Sequence, residues 1–232
     1  MAYSLCVRAD PGPVRDRLLD WNRRRGFRLA TPEARVDRSW LLLVDRAESG
    51  WVAIRDEWDP FSLFETGKLT AFEGEGAELA LDLSRALHTQ VVVFALTLEQ
   101  SAAHLVAQGA HVDTLENGPP RFPGGRARKR GEPARWAETF GDPELAEAVR
   151  RALHTEREMD IDGLERAEIF VPHELAQALG ISVSLIDPPE PAPSRGVIGS
   201  LLDAVDARRR FEGSSEDGAV RMDFCRADCS DA

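Results

Sequence analysis

Lysine, tyrosine and cysteine are scarce in this chain of 232 residues. The two lysines, Lys68 and Lys129, leave arginine to supply nearly all of the 29 basic residues, which indicates the coding bias of a high-GC bacterial genome. The three cysteines are Cys6, Cys225 and Cys229, an odd number with two of them close together. Such a set is a poor disulfide framework, so cysteine usage favours a reducing compartment.

Long hydrophobic runs are also missing. The longest apolar stretches, residues 40–44 and 91–96, are too short to span a bilayer and are typical of buried strands. The first residues, MAYSLCVRAD, lack a basic start followed by a long apolar stretch, so no secretory signal is predicted. We therefore expect a cytoplasmic protein without membrane segments.

Positive charge is in deficit, because the net charge is −11. Proteins that bind duplex DNA normally present a basic face, so this balance argues against nucleic acid as a partner. An acidic surface suits a protein that docks on a basic protein partner.

The pattern of apolar residues predicts an α+β fold. Strands are expected at 3–8, 40–44, 51–54, 91–98, 104–107 and 111–115, with helices after Asp10 and over 78–86. An antiparallel or mixed sheet with a helix packed on one face would bury these segments. We expect one core, formed by Trp40, Leu42, Trp51, Ile54, Leu83, Leu87, Val92 and Phe94.

Composition changes after residue 117. Residues 1–117 are predicted to form the sheet domain, and residues 118–135 a loop rich in Gly, Pro and Arg. Residues 136–212 are expected to be mainly helical and packed on the first domain, with a helix that begins at Pro172, one further strand at 181–186 and a last helix at 197–211. Residues 213–232, which are polar and acidic, are expected to form a flexible tail.

Complete catalytic motifs are absent from the sequence. It has no Gly-x-Ser-x-Gly elbow, no Cys-x-x-Cys pair and no dinucleotide glycine fingerprint. His173-Glu174-Leu175-Ala176-Gln177 has Gln177 where a zincin helix needs its second histidine. We accordingly assign no catalytic residue and expect no cofactor.

His111 and Asp113 form the strongest candidate metal pair. Alternate residues of a strand point to the same face, so the two side chains could share a metal. A distal histidine, His154 or His173, would complete the two-histidine, one-carboxylate set of iron oxygenases. The alternative is a solvent-facing strand edge.

A basic loop at 121–130 is a candidate anion or nucleic-acid site. It concentrates positive charge in an acidic chain, in the residues Arg121, Arg126, Arg128, Lys129 and Arg130. The alternative is a solvated loop whose charges are neutralised by the protein's own carboxylates.

An acidic stretch with tryptophan is a candidate partner-binding face. Asp56, Glu57, Trp58 and Asp59 combine acidic side chains, which steer a basic partner, with an aromatic ring that supplies contact area. The alternative places Trp58 against the core.

Three short motifs carry a resemblance. Gly109-Ala110-His111-Val112-Asp113, the turn from Asn117 to Phe122 and the helix end Leu179-Gly180-Ile181 together resemble an uncharacterised group of bacterial proteins. The similarity covers roughly residues 40–181, and it implies neither an activity nor catalytic residues. More loosely, the chain resembles the immunity proteins of bacterial toxin systems.

These observations favour a non-catalytic, immunity-type binding protein that acts through protein–protein contact. A metal-dependent enzyme using His111 and Asp113 is the first alternative. Anion or nucleic-acid binding through the 121–130 loop is the second.

Overall fold

The computed structural model describes residues 2–31, 34–44, 49–56, 72–96, 101–118, 128–154, 157–161, 164–168, 172–182, 185–186 and 219–227. The strands are β1 Ala2–Arg8, β2 Phe27–Leu29, β3 Arg38–Val44, β4 Trp51–Asp56, β5 Gln90–Leu96, β6 Ser101–Ala107, β7 Ala110–Gly118, β8 Arg128–Arg130, β9 Arg157–Ile161, β10 Leu164–Glu168 and β11 Ala219–Arg226. The helices are α1 Pro11–Arg24, α2 Glu75–Leu87, α3 Pro133–Phe140, α4 Leu145–His154 and α5 Pro172–Ala178. None of the helices in these ranges is long and apolar enough to cross a membrane.

Nine strands form one sheet in the order β2-β11-β3-β4-β1-β5-β6-β7-β8. Every pairing is antiparallel. The strands β9 and β10 pair with each other as a separate hairpin. The fold is therefore α+β, as the apolar pattern predicts, and antiparallel rather than mixed.

Helices cover both faces of the sheet. Alternate strand residues point to opposite faces, so each strand contributes to two cores. One core lies under α1 and α2 and contains Leu5, Val7, Val14, Leu18, Trp40, Leu42, Ile54, Leu79, Leu83, Val93 and Phe224. The other lies under α3, α4 and α5 and contains Cys6, Trp51, Ala53, Val92, Phe94, Leu105, Leu115, Trp136, Val149 and Leu175.

Because helices cover both faces of the sheet, the prediction that the apolar residues meet in a single core on one face is wrong. Trp40 and Leu83 lie on the α1–α2 face, whereas Trp51 and Phe94 lie on the other face. All the residues of the predicted set are buried except Leu87, which is partly buried against the first core. Their hydrophobicity identified burial correctly but carried no information on the face.

The central part of the chain follows the predicted order of elements. From residue 38 the structure has two strands, a helix and three strands, and Gln108-Gly109 turns between β6 and β7. Downstream, α5 begins at Pro172 as expected. The described residues of 181–186 do not form the predicted strand, and the predicted helix at 197–211 lies outside the described part.

The sheet does not end at residue 117. Two later strands, β8 and β11, join it, and β11 lies within the stretch expected to be a flexible tail. Between β2 and β3, this strand turns Met222 and Phe224 into the α1–α2 core. The alternating pattern of Val220, Met222 and Phe224 signals a strand, but acidic and small residues around it hide the signal.

Candidate functional site

A β-bulge in β7 determines the geometry of the predicted metal pair. In the pairing with β6, His111 lies opposite Val106 and Asp113 lies opposite Leu105, so Val112 is an extra residue. A bulge of this kind interrupts the alternation of side chains. His111 therefore shares the face of Val106, under α2, whereas Asp113 shares the face of Leu105, under α3.

The Asp113 carboxylate is committed to α3. Its Oδ2 accepts a hydrogen bond of 2.9 Å from the backbone N–H of Glu132 and another of 2.9 Å from Nε1 of buried Trp136. At the same edge, Arg135 donates to the carbonyl oxygen of Val112 at 3.1 Å. Asp113 thus anchors the start of α3 to the sheet.

Gly131 makes this close approach possible. It lies between β8 and α3 with a φ of +129°, and a Cβ there would lie 2.3 Å from Cδ2 of Leu115. Any other residue would collide with the core at this point and strain the backbone.

His111 belongs instead to a cluster on the α2 face. Its Nε2 lies 2.9 Å from Oγ1 of Thr114, and Nδ1 of His104 lies 2.9 Å from the same oxygen. The Phe72 ring stacks on His111 with centroids 4.6 Å apart and lies 5.2 Å from the ring of His104. His104 is fully buried and His111 is exposed, so the Thr114 hydroxyl joins a core imidazole to a surface imidazole.

The environment of His111 favours its neutral form. Partial burial against its neighbours lowers the pKa of the imidazole, although the Asp113 charge and a hydrogen bond to the Asp113 backbone oppose this change. A metal ligand set is not formed around it: the described residues contain no group of three or more His, Cys, Asp or Glu side chains that could hold a metal ion. The expectation that His111 and Asp113 point the same way is wrong, because the bulge separates them.

A polar depression of about 420 Å³ lies at this edge of the sheet. It is lined by His111, Val112, Asp113, Thr114, Glu116, Arg130, Gly131, Glu132 and Arg135. Arg130, from the predicted anion set, lies 3.8 Å from the buried carboxylate of Glu116, and Arg135 pairs with Glu132 at 2.9 Å. The arginine charge within this depression is therefore balanced by carboxylates.

The other predicted binding residues are placed only in part. Arg128 and Lys129 belong to β8, while Arg121 and Arg126 lie outside the described residues. Asp56 ends β4 opposite Trp40, and Glu57, Trp58 and Asp59 lie outside the described residues. The partner-binding face at 56–59 and the anion site at 121–130 remain predictions.

A groove of about 430 Å³ lies at the opposite edge of the sheet. Its walls are formed by Arg15, Leu19, Leu29, Ala30, Thr31, Val36, Val220, Arg221, Met222 and Asp223. Leu29 is 52% exposed and Val220 is 42% exposed. These two are the large apolar side chains that stand out as exposed in the part of the chain that the structure describes.

In the part of the chain that the structure describes, no cysteine has an exposed thiol. Cys6 lies in the core under α3–α5, where burial raises the pKa of its thiol to about 12, against smaller opposing effects of Ser4 and Arg55. Cys225 is buried in β11. A buried, protonated thiol is a poor nucleophile, so Cys6 acts as a packing residue.

Comparison of the chain with protein-family models, with curated proteins and with solved structures gives no match. The resemblance to a bacterial group and to immunity proteins therefore stays a prediction, and the site residues are argued from their geometry alone.

Sequence reasoning missed the Thr114 bridge and the groove. His104 and Thr114 are ten residues apart, and only the register of the β6–β7 hairpin makes them neighbours. The groove depends on β11, which the composition of the C-terminal region concealed. The spacing of Val220, Met222 and Phe224 was the one available signal for it.

Proposed function

We propose that the protein is a non-catalytic binding protein of the bacterial cytoplasm, and that its binding surface is the groove beside β2 and β11. The occupant is an extended apolar segment of a partner protein. The observation that carries this proposal is that Leu29 and Val220, both exposed, line one groove. Adjacent exposed apolar side chains rimmed by polar ones are typical of interaction sites.

The shape of the groove favours an extended occupant. Strand β2 pairs with β11 over Phe224–Arg226, and the N–H of Ala30 adds a hydrogen bond to the carbonyl of Asp223, whereas β11 continues along β3 back to Ala219. After β2 the chain turns aside, with the N–H of Ala34 donating to the carbonyl of Thr31. The groove thus follows the line that a longer β2 would take, and a single strand about 4.8 Å from its neighbour fits there.

The chemistry of the groove favours apolar contacts. Leu19 of α1, Leu29 and Met222 supply aliphatic surface, and Arg221 at the rim pairs with Asp223 at 2.9 Å. Removing apolar surface from water stabilises a complex by about 25 cal/mol per Å². The net charge of −11 would steer partners with basic flanks toward the protein.

Selection from a phage-displayed library of random peptides tests the proposal. We expect selected peptides to carry alternating apolar residues with flanking Lys or Arg, and Leu29→Asp/Val220→Asp to weaken their binding by at least ~10-fold, or about 1.4 kcal/mol. Ala134→Asp/Gln177→Asp adds the same charge at exposed positions of α3 and α5 and is the matched control. Peptides that bind the groove variant as tightly as the wild type would show that the groove is not the binding surface.

A further inference from the structure

The polar depression at the β7 edge forms because β8 covers only one end of β7. The two strands pair over Glu116–Gly118, and the chain then turns at Gly131 into α3. The edge of β7 before Glu116 therefore borders α3, and the depression of about 420 Å³ lies between the end of β8 and the start of this helix. Small-ligand sites have volumes of roughly 300–1,000 Å³, so the depression is large enough for a small molecule.

Glu116 is a buried carboxylate that lacks a hydrogen-bond donor among the described residues. Its side chain is only 6% exposed, and it lines the depression. Arg130 lies directly opposite it in the β7–β8 register, but Nη1 of Arg130 stays 3.8 Å from Oε2 of Glu116, which is beyond hydrogen-bond distance. Buried charged groups are costly to leave without hydrogen bonds. This carboxylate is therefore placed to accept a donor from a molecule in the depression.

The charge balance of the depression favours a cation. Three carboxylates and two guanidinium groups line it, which leaves one negative charge in excess. The carboxylates of Asp113 and Glu116 are buried. The side chains of Arg130 and Arg135 are 77% and 50% exposed, and water and salt screen exposed charges more strongly than buried ones. Burial lowers the pKa of His111 and favours its neutral form, so this ring adds little positive charge.

A primary ammonium group matches these features. It is a compact cation with three hydrogen-bond donors and no acceptor, and it can turn those donors toward a single carboxylate. The described residues contain no group of three or more side chains that could hold a metal ion, which favours an organic cation. The remaining volume accommodates a short aliphatic chain beside Val112, which is partly buried against the α3–α5 core.

We propose that the depression binds a primary ammonium group on a short aliphatic chain, and that the Glu116 carboxylate accepts its hydrogen bonds. The site lies at the sheet edge opposite to the groove of β2 and β11, so it is independent of the binding surface proposed there. The same chemistry occurs in small free amines and in lysine side chains.

Three probes of the same length and different charge test the proposal at neutral pH, namely n-butylammonium, n-butanol and butyrate. Binding is followed by the amide ¹H–¹⁵N NMR shifts of Thr114, Gly131 and Glu132, which border the depression. We expect n-butylammonium to bind at least ~10-fold more tightly than n-butanol, because hydrogen bonds to a charged group are the stronger ones. Butyrate should bind more weakly than n-butylammonium. Equal affinity for n-butylammonium and n-butanol, or tighter binding of butyrate, would overturn the proposal.

Two variants test the role of Glu116. Glu116→Gln keeps the shape of the side chain and should weaken n-butylammonium binding by at least ~10-fold. Glu147→Gln removes the same charge from an exposed position of α4 and is the matched control, with an affinity close to that of the wild type. Arg130→Gln, at an exposed position, removes the competing positive charge and should tighten n-butylammonium binding. Unchanged affinity in Glu116→Gln, or weaker binding in Arg130→Gln, would contradict the assigned role of Glu116.

A blocked Gly-Lys-Gly peptide, whose only charge is the lysine ammonium group, distinguishes the two sources of this chemistry. Binding as tight as that of n-butylammonium, with the same loss in Glu116→Gln, would assign the site to a lysine side chain of a partner protein. Weaker binding of the peptide would assign the site to a small free amine.

Discussion

On the α1–α2 face of the sheet, ion pairs join the two helices to each other and join β3 to α2, where Arg38 donates to Glu75 at 2.6 Å. On the α3–α5 face, two buried tryptophans donate hydrogen bonds between the strands and the covering segments. The carboxylate of Asp82 in α2 accepts hydrogen bonds from Arg17 of α1 at 2.6 and 2.7 Å and from Arg24 at 3.1 Å. On the opposite face, Trp51 of β4 donates to the carbonyl of Leu179 at 3.1 Å, and Asp113 of β7 binds Trp136.

The burial of these bonds determines how the stability of each face responds to salt and to substitution. The ion pairs of Asp82 are partly exposed, so salt weakens them. The Trp136–Asp113 bond is buried, and so is the bond from Ser4 of β1 to the carbonyl of Leu185. Buried polar bonds are stronger electrostatically and costly to leave unmade. The stability of the α3–α5 face should therefore depend on buried hydrogen bonds between specific residues. The stability of the α1–α2 face should depend on apolar packing, with a contribution from ion pairs that salt weakens.

The largest expected effect is on the α3–α5 face. Trp136→Ala removes a fully buried indole and leaves Asp113 without its Nε1 donor, so we expect the free energy of unfolding to fall by about 3–5 kcal/mol in urea denaturation. Trp136→Phe is the control, since it keeps most of the ring volume and loses only the hydrogen bond. If Trp136→Phe costs almost nothing, packing rather than the hydrogen bond to Asp113 holds α3.

On the α1–α2 face, Leu83→Ala should cost about 2–5 kcal/mol, because the side chain is fully buried and its removal leaves a cavity. Leu81, on the same helix, is only partly buried and provides the matched control. We expect Leu81→Ala to cost clearly less, and the loss in Leu83→Ala to be the same at low and high salt. Equal losses in the two variants would contradict the assigned face of α2.

Asp82→Asn should cost about 1–3 kcal/mol, since hydrogen bonds to a charged group are lost. Although burial opposes it, the hydrogen bonds from Arg17 and Arg24 hold the pKa of Asp82 below its ordinary value. Its stabilising effect is therefore present above the ordinary pKa of a carboxyl and is lost as pH falls through the lowered value.

Salt provides the readout that distinguishes the two faces. The cost of Asp82→Asn should shrink between low salt and about 1 M salt, where the Debye length falls to about 3 Å. Asp20→Asn, which breaks an exposed pair with Arg23, is the control and should change stability little at any salt. A cost for Asp82→Asn that salt leaves unchanged would remove the proposed difference between the faces.

The order of elements from residue 38 to 118 could be predicted because β3, β4, β5 and β6 have dense apolar runs and Gln108-Gly109 marks the turn into β7. What the sequence could not supply was the partner of each strand. The pairing of β11 between β2 and β3 joins residues nearly 200 positions apart, and no local pattern encodes such a contact. The prediction of a flexible tail was a judgement on composition, which the alternation of three apolar residues outweighs.

The predicted metal pair of His111 and Asp113 was also wrong because of one residue, Val112. His111 and Asp113 are two apart, and a regular strand would place them on one face. The bulge at Val112 sends them to opposite faces, and the α3 anchor and the Thr114 cluster each take one of them. The residue types correctly indicated a cluster of polar side chains at this edge. The extra residue in β7 determined that Asp113 bonds to α3 and His111 to Thr114, so that the two do not share a metal.

The smallest expected effect is the pH dependence that His111 gives to the α2 side. Its pKa is lowered in the folded protein, chiefly by burial, so the unfolded chain takes up a proton more readily as pH falls. The contribution of neutral His111 to the free energy of unfolding is therefore complete above about pH 6.5, the ordinary pKa of histidine, and is lost as pH falls through the lowered value.

In His111→Gln, the decline in stability measured by urea denaturation between about pH 7.5 and about pH 5 should be shallower than in the wild type. His154→Gln, on an exposed position of α4, controls for the loss of one imidazole on the other face. The same decline in His111→Gln as in the wild type would show that His111 contributes nothing to the difference between the two faces.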